Sequence, residues 1–364
     1  MISICYYISD HGYGHASRSI AVIRRILNSF DFDEIKIYIK THYPFNFVRR
    51  SLSQNNVKVV KTKNDFGVVF KENSVVVDKD KTRNMLNEWL VSWHSYIQKE
   101  KEFCKSHEID LILSDVTPQP LIAAEEMGIP SVIISNFTWY YIFFNLFGKI
   151  GATERIKEAY QCAEIGLVLP FNENMDYIKN KKEISLVARE ITVDRPSLRR
   201  KYGISDDESL VYIGIGKSFA PSFLSNLKEI NNSNVKFLFS SHIGLSFRNM
   251  VKIPINETES QNYLAMCDLI VSKIGYSTVS EAIRAKIPMA LFKRRGWEED
   301  ELIGSKIEEM GIGRIISEKS LFKGDWMYEL EGLENYTNKY ETLNNRSKKD
   351  GTLEILSYLN EMIS

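Results

Sequence analysis

Directly after the apolar run ISICYYI, residues 9–19 read SDHGYGHASRS, with histidines at His11 and His15. An imidazole between a buried strand and the start of a helix can exchange a proton near neutral pH. The helix N-terminus disfavours its charged form, which suits a general base. The same position also suits a histidine that caps the helix or packs against it. A carboxylate to orient the ring stands in DLILSDVTPQP, where Asp115 follows another apolar strand. Beside the imidazole it would hold the tautomer and stabilise the imidazolium. Its alternative is the N-cap of the helix PLIAAEEMG.

The second half carries VSKIGYSTVSEAIRAKIP. Gly275, Ser277 and Thr278 lead from a strand into a helix, where backbone amides and hydroxyls can hold a phosphate. Glu281, one turn further in, can accept hydrogen bonds from a ribose diol, or it is an exposed acid on a capped helix. GIGKS (214–218) is a second loop of this kind, offering Gly216, but it lacks the G-x-x-x-x-G-K-[ST] spacing. The first loop fails as a dinucleotide fingerprint, because Ser17 stands where the third glycine belongs. Gly12 and Gly14 there permit a sharp turn and a close backbone approach. Asp78 and Asp80, in SVVVDKDKT, match an Asp-x-Asp metal motif, yet flanking lysines favour a solvated turn.

These residues need strands and helices to place them, and the chain alternates the two. ISICYYIS, EIKIYIKT, VKVVKT, DLILSD and PSVIIS read as strands, with helices at ASRSIAVIRRILNSF, NMLNEWLVSWHSYIQKEKEFCKSH and PLIAAEEMG between them. The alternation resumes with SLVYIGIG, PSFLSNLKEI, VKFLFSS, QNYLAMC, DLIVSK, STVSEAIRAK, PMALFK and ELIGSKIEEMG, and LEILSYLNEMIS closes as an amphipathic helix. Such a series predicts an α/β protein with two parallel, helix-covered sheets. The expected domains are 1–168 and 206–340, joined by a transition at 169–205 and followed by a C-terminal helix over 341–364 that returns toward the N-terminal domain. The 47 basic and 47 acidic side chains balance, which argues against bulk nucleic acid as a partner. The four cysteines form no C-x-x-C pair and the N-terminus has no signal-peptide pattern, so a cytoplasmic location is expected. TWYYIFFNLF (138–147) is too short to span a bilayer. It reads as a buried helix, with contact to an acceptor or to the inner membrane face as the alternative.

HGYGHASR, SDVTPQPLIAAEEMGIPSVIISNFTWYYI, SKIGYSTVSEAI and FKRRGWEEDELI, in this order, resemble GT-B glycosyltransferases over about residues 5–310. The nearest resemblance is to the glycosyltransferase-like N-terminal region of plant L-arabinokinase and its stand-alone prokaryotic relatives. Plant UDP-glycosyltransferases and the lipid II N-acetylglucosaminyltransferase are more distant. The resemblance implies two Rossmann-like domains facing a cleft, with His15 as the base for an acceptor hydroxyl and Asp115 assisting it. It implies a donor site at Gly275, Ser277, Thr278 and Glu281, with Glu299 and Asp300 near the donor sugar; Lys273 and Arg294 are candidate cations for the diphosphate, and Gly14, Gly216 and Tyr276 complete the candidate donor site. Asn136 and Trp139 would lie on the acceptor side. WEEDE replaces the family's Asp-Gln or Gln-Gln pair, which leaves the donor sugar open. The galactokinase-like half of arabinokinase has no counterpart, so sugar kinase activity is not expected.

The implied activity is inverting, metal-independent transfer of a sugar from a nucleotide diphosphate, with UDP expected, and with no resident cofactor or metal. The partners are that donor and a hydroxyl acceptor, either a small molecule or lipid-linked. Closure of the two halves would exclude water. A nucleotide-sugar 2-epimerase of the same fold and a non-catalytic nucleotide-sugar-binding protein are the competing readings.

Overall fold

The computed structural model describes residues 1–72, 74–214, 235–240, 248–317, 332 and 334–363. The helix expected at 221–230 lies outside them, as does Gly216. The chain divides into two compact units, 1–69 with 78–188 and 345–364, and 70–77 with 189–344. The division at 188/189 falls inside the stretch read as a transition. Residues 70–77, read as part of the N-terminal domain, belong instead to the second unit. There Val76 bridges Arg295, and the Arg295 amide donates to the Val75 carbonyl at 2.9 Å.

The first unit holds a seven-stranded parallel sheet. Its strands are β1 (Ile2–Ile8), β2 (Ile35–Thr41), β3 (Val57–Lys61), β4 (Leu111–Asp115), β5 (Ser131–Ser135), β6 (Ile165–Val168) and β7 (Lys181–Glu183). They lie in the order β3-β2-β1-β4-β5-β6-β7. Helices α1 (Tyr13–Leu27), α2 (Phe45–Ser51), α3 (Lys79–Ser106), α4 (Gln119–Met127), α5 (Trp139–Phe147) and α6 (Gly151–Gln161) connect them. The inner strands are buried along nearly their whole length, which is why they read as unbroken apolar runs.

Helix α1 starts three residues earlier than its apolar pattern does. Gly12 enters it at φ 89° and ψ −176°, a conformation that only glycine reaches without strain. His15 therefore lies in the first helical turn. Asp78 accepts the Lys81 amide at 3.1 Å, so it caps α3. Along α5, Trp139, Ile142, Phe143 and Leu146 are buried, and this face of the aromatic segment is core.

The second unit repeats the plan with β8 (Ser209–Gly214), β9 (Val235–Phe239), β10 (Met250–Lys252), β11 (Leu269–Lys273), β12 (Met289–Phe292) and β13 (Gly313–Ile315). Their order is β10-β9-β8-β11-β12-β13, again all parallel. Its described helices are α7 (Arg195–Lys201), α8 (Ser260–Ala265), α9 (Tyr276–Ala285), α10 (Glu298–Met310) and α11 (Glu334–Glu341). The chain then returns to the first unit with α12 (Asn345–Lys348) and α13 (Gly351–Ile363). Arg25 of α1 holds this end, donating to Asp350 at 2.9 Å and to Thr352 at 3.1 Å. Among the described residues no helix is long and apolar enough to cross a membrane.

Candidate functional site

In the first sheet β1 and β4 are neighbours, with Ile8 opposite Asp115, and the chain leaves them toward opposite edges. Open α/β sheets bind ligands at the C-terminal strand ends of such a switch point. His15 and Asp115 meet there, with Nδ1 2.7 Å from Oδ1 and both side chains buried. Neither residue is a cap. The N-cap of α1 is Gly12 and that of α4 is Pro118.

Asp115 gathers three further donors. Arg18 reaches Oδ2 through Nε at 2.6 Å and Oδ1 through Nη2 at 2.7 Å, and the Ser19 hydroxyl reaches Oδ2 at 3.1 Å. Burial alone would push this carboxyl up. The charge and hydrogen bonds of Arg18, together with the hydrogen bond from His15, outweigh it and hold the group down at about 2. An ionised carboxylate only accepts, so the proton in the 2.7 Å contact sits on Nδ1, and in the neutral form of the ring the lone pair is then on Nε2. Val116 follows at φ 69°, a strained backbone for a β-branched residue. The Tyr160 hydroxyl donating to its carbonyl holds the bend, as does Ser114 Oγ donating to the Thr117 carbonyl at 2.6 Å.

Asn136 and Trp139, expected on the acceptor side, are buried in the same polar layer. Asn136 Oδ1 accepts from Arg18 Nη1 at 2.6 Å. Trp139 Nε1 donates to Asp65 Oδ2 at 3.0 Å, and the indole meets the His11 ring edge-on at 5.6 Å. Gly67, at φ 75°, is needed here, because a Cβ would come within 1.9 Å of His11 Nδ1. Asp65 itself is buried, and burial together with the nearby Asp10 raises its carboxyl well above the ordinary range. The folded protein thus keeps a proton on Asp65 where the unfolded chain has lost it, so stability drains as pH rises through neutrality. Asp65→Asn removes that group. Calorimetric melting should show the stability difference moving in the variant's favour from pH 5 to pH 8, and a constant difference would refute the assignment.

The second group of expected residues lies at the β11–α9 and β12–α10 junctions of the other unit. Gly275 precedes α9, whose first turn is Tyr276, Ser277 and Thr278. Lys273, at the end of β11, is half-buried. Burial and the neighbouring Arg294 lower its ammonium to about 8, against the pull of Asp300 and Glu299. Its Nζ forms no hydrogen bond or ion pair with a described residue. Arg294 and Asp300 are tied to each other. Nη2 donates to Oδ1 at 2.5 Å, and Nε and the backbone amide donate to Oδ2 at 3.0 and 2.6 Å. Glu299 Oε2 accepts from Trp297 Nε1 at 3.0 Å. Glu281 is buried and pairs through Oε1 with Arg189 Nε at 2.8 Å.

The fold these two units define is that of the GT-B glycosyltransferases. No protein-family model matches the chain. In sequence it is similar to L-arabinokinase of Arabidopsis thaliana, 26% identical over 335 residues, covering 90% of this chain and 31% of that protein's length. It is also similar to an uncharacterized glycosyltransferase of Methanopyrus kandleri, 20% identical over 245 residues, covering 63% of this chain and 70% of that one. In structure it resembles the glycotransferase of kitacinnamycin, with a TM-score of 0.68 at 13% identity over 100% of this chain and 99% of that one. The glycosyltransferase VinC in complex with dTDP aligns with a TM-score of 0.64 at 13% identity, over 100% and 99% of the two chains.

Three contributors carried no assignment in the sequence reading: Arg18, Asp65 and Arg189. Arg18 left one usable signal, since it stands three residues after His15 and so shares its helix face.

Proposed function

We propose that this protein transfers a sugar from a nucleoside diphosphate sugar, UDP-linked, to an acceptor hydroxyl, with inversion and without a metal. His15 Nε2 takes the acceptor proton as the acceptor oxygen bonds to the anomeric carbon. The bond from that carbon to the diphosphate breaks, and its electron pair leaves with the nucleotide. Asp115 keeps Nδ1 protonated and balances the imidazolium. The first turn of α9 (Gly275 to Thr278), with Lys273, takes the diphosphate, and Glu281 takes the ribose. Arg294 and Asp300 shape the wall of that site. The observation that carries this reading is the buried 2.7 Å contact between His15 and Asp115 at the switch point. The Lys273 ammonium, which has no hydrogen bond or ion pair among the described residues, supports the anion site.

A thermal-shift screen of nucleotides and nucleotide sugars tests the donor claim, because a ligand bound only by the folded state raises its melting temperature. UDP and UDP-sugars should raise it, and no response to any nucleotide would refute the proposal. Isomerised sugar formed from donor alone would mean an epimerase. Binding without turnover across varied acceptors would mean a sensor.

Lys273 adds a pH signature. A diphosphate binds the charged ammonium, which the free site keeps only below about pH 8. UDP affinity measured by calorimetry should therefore weaken above that pH, approaching tenfold per pH unit, whereas Lys273→Arg should flatten the profile. A wild-type profile flat from pH 7.5 to 9.5 counts against Lys273 as a ligand.

A further inference from the structure

Arg18 makes the candidate dyad a triad of unusual charge. Its guanidinium takes both oxygens of Asp115, at 2.6 and 2.7 Å, and it is fastened from behind by Asn136 Oδ1 at 2.6 Å and Ser135 Oγ at 3.1 Å. All of these side chains are buried. Nη2 also lies 3.0 Å from His15 Nδ1, so two donors converge on Asp115 Oδ1 from one side. With the imidazole neutral, the cluster of Arg18, Asp115 and His15 carries no net charge. A buried carboxylate facing a neutral ring alone would be one uncompensated charge.

We infer that Arg18 is a positioning residue whose charge keeps His15 Nε2 free of a proton. The inference rests on the reading of His15 as base, and it says why that base is ready. Without Arg18 the pocket would regain neutrality by taking up one proton. If the proton goes to Asp115, the carboxylic acid donates to Nδ1 and the ring carries its hydrogen on Nε2. If it goes to the ring, the imidazolium carries hydrogens on both nitrogens. Either way Nε2 loses its lone pair and cannot accept a proton from an acceptor.

The two outcomes share a spectroscopic signature that needs no substrate. With 15N-histidine incorporated, the six histidines give resolvable ring nitrogens, and His15→Gln assigns those of His15. At pH 7.5 the wild type should show a pyridine-type Nε2 and a pyrrole-type Nδ1. Arg18→Met should convert Nε2 to a protonated nitrogen, and Arg18→Lys should restore much of the wild-type pattern. Amide hydrogen exchange of β1 and β4 checks that each variant is folded. If Arg18→Met unfolds, Asn136→Ala with Ser135→Ala, which loosens the guanidinium without deleting it, should move the Nε2 signal part of the way. A protonated Nε2 in the wild type, or an unchanged lone pair in folded Arg18→Met, overturns the inference. Both leave the donor proposal to be decided separately by nucleotide binding.

Discussion

Replacing His15 with alanine should lower sugar transfer by about 10²- to 10⁴-fold while the dissociation constant for UDP stays within about twofold, since a positioned general base contributes rate and not donor affinity. The expectation follows from where the two groups of residues lie. His15 and Asp115 belong to the first unit, and Lys273, Ser277, Thr278 and Glu281 to the second. Losing the imidazole leaves the Arg18–Asp115 pair intact, at 2.6 and 2.7 Å, so the layer beneath the site keeps its charge balance. His15→Gln, which fills more of the vacated space, should fold as well and be equally slow. Donor consumption and calorimetric binding measured on one preparation separate the two effects. Full turnover in folded His15→Ala would end the base assignment, and loss of UDP binding would place the histidine on the donor instead.

The architecture was legible because parallel strands buried on both faces leave unbroken apolar runs. ISICYYI and SVIIS became β1 and β5, and the residues just beyond such runs stand where ligands bind. That logic alone picked out His15 and Asp115. It was blind to their support. Arg18 contacts residues 97 and 118 positions away, and apart from its three-residue spacing from His15 nothing local announces a buried guanidinium. Asp65 sits in a loop with no periodicity, and its character comes from burial and from Asp10. The start of α1 was hidden because Gly12 and Gly14 are poor helix formers, and a packed tertiary context overrides that preference. Strands β7, β10 and β13 are three residues each, too short to show a period of two. Residues 70–77 gave no sign of belonging to the second unit, since their partner Arg295 lies more than 200 positions on.

Replacing Asp115 with alanine should destabilise the first unit by about 3–5 kcal/mol, because it strands the buried guanidinium of Arg18, which is 3% exposed, without a counter-charge. A solvent-exposed pair of the same geometry would cost at most about 1 kcal/mol, so the size of the loss reports whether this pair is buried as the structure has it. The two units need not unfold together, so the proper probe is hydrogen exchange of β1 and β4 and not a single melting temperature. Arg18→Met in the Asp115→Ala background should recover part of the loss, since both charges are then gone and no orphan remains. A cycle of the two single variants and the double variant should give a coupling well above the ~0.5 kcal/mol scatter of independent sites. Additive losses would mean that each side chain matters only through its packing. A large coupling would make the carboxylate and guanidinium one structural unit, onto whose outer edge His15 is fastened through Nδ1. His15, the proposed base, would then be held by a charge pair that the fold cannot easily discard.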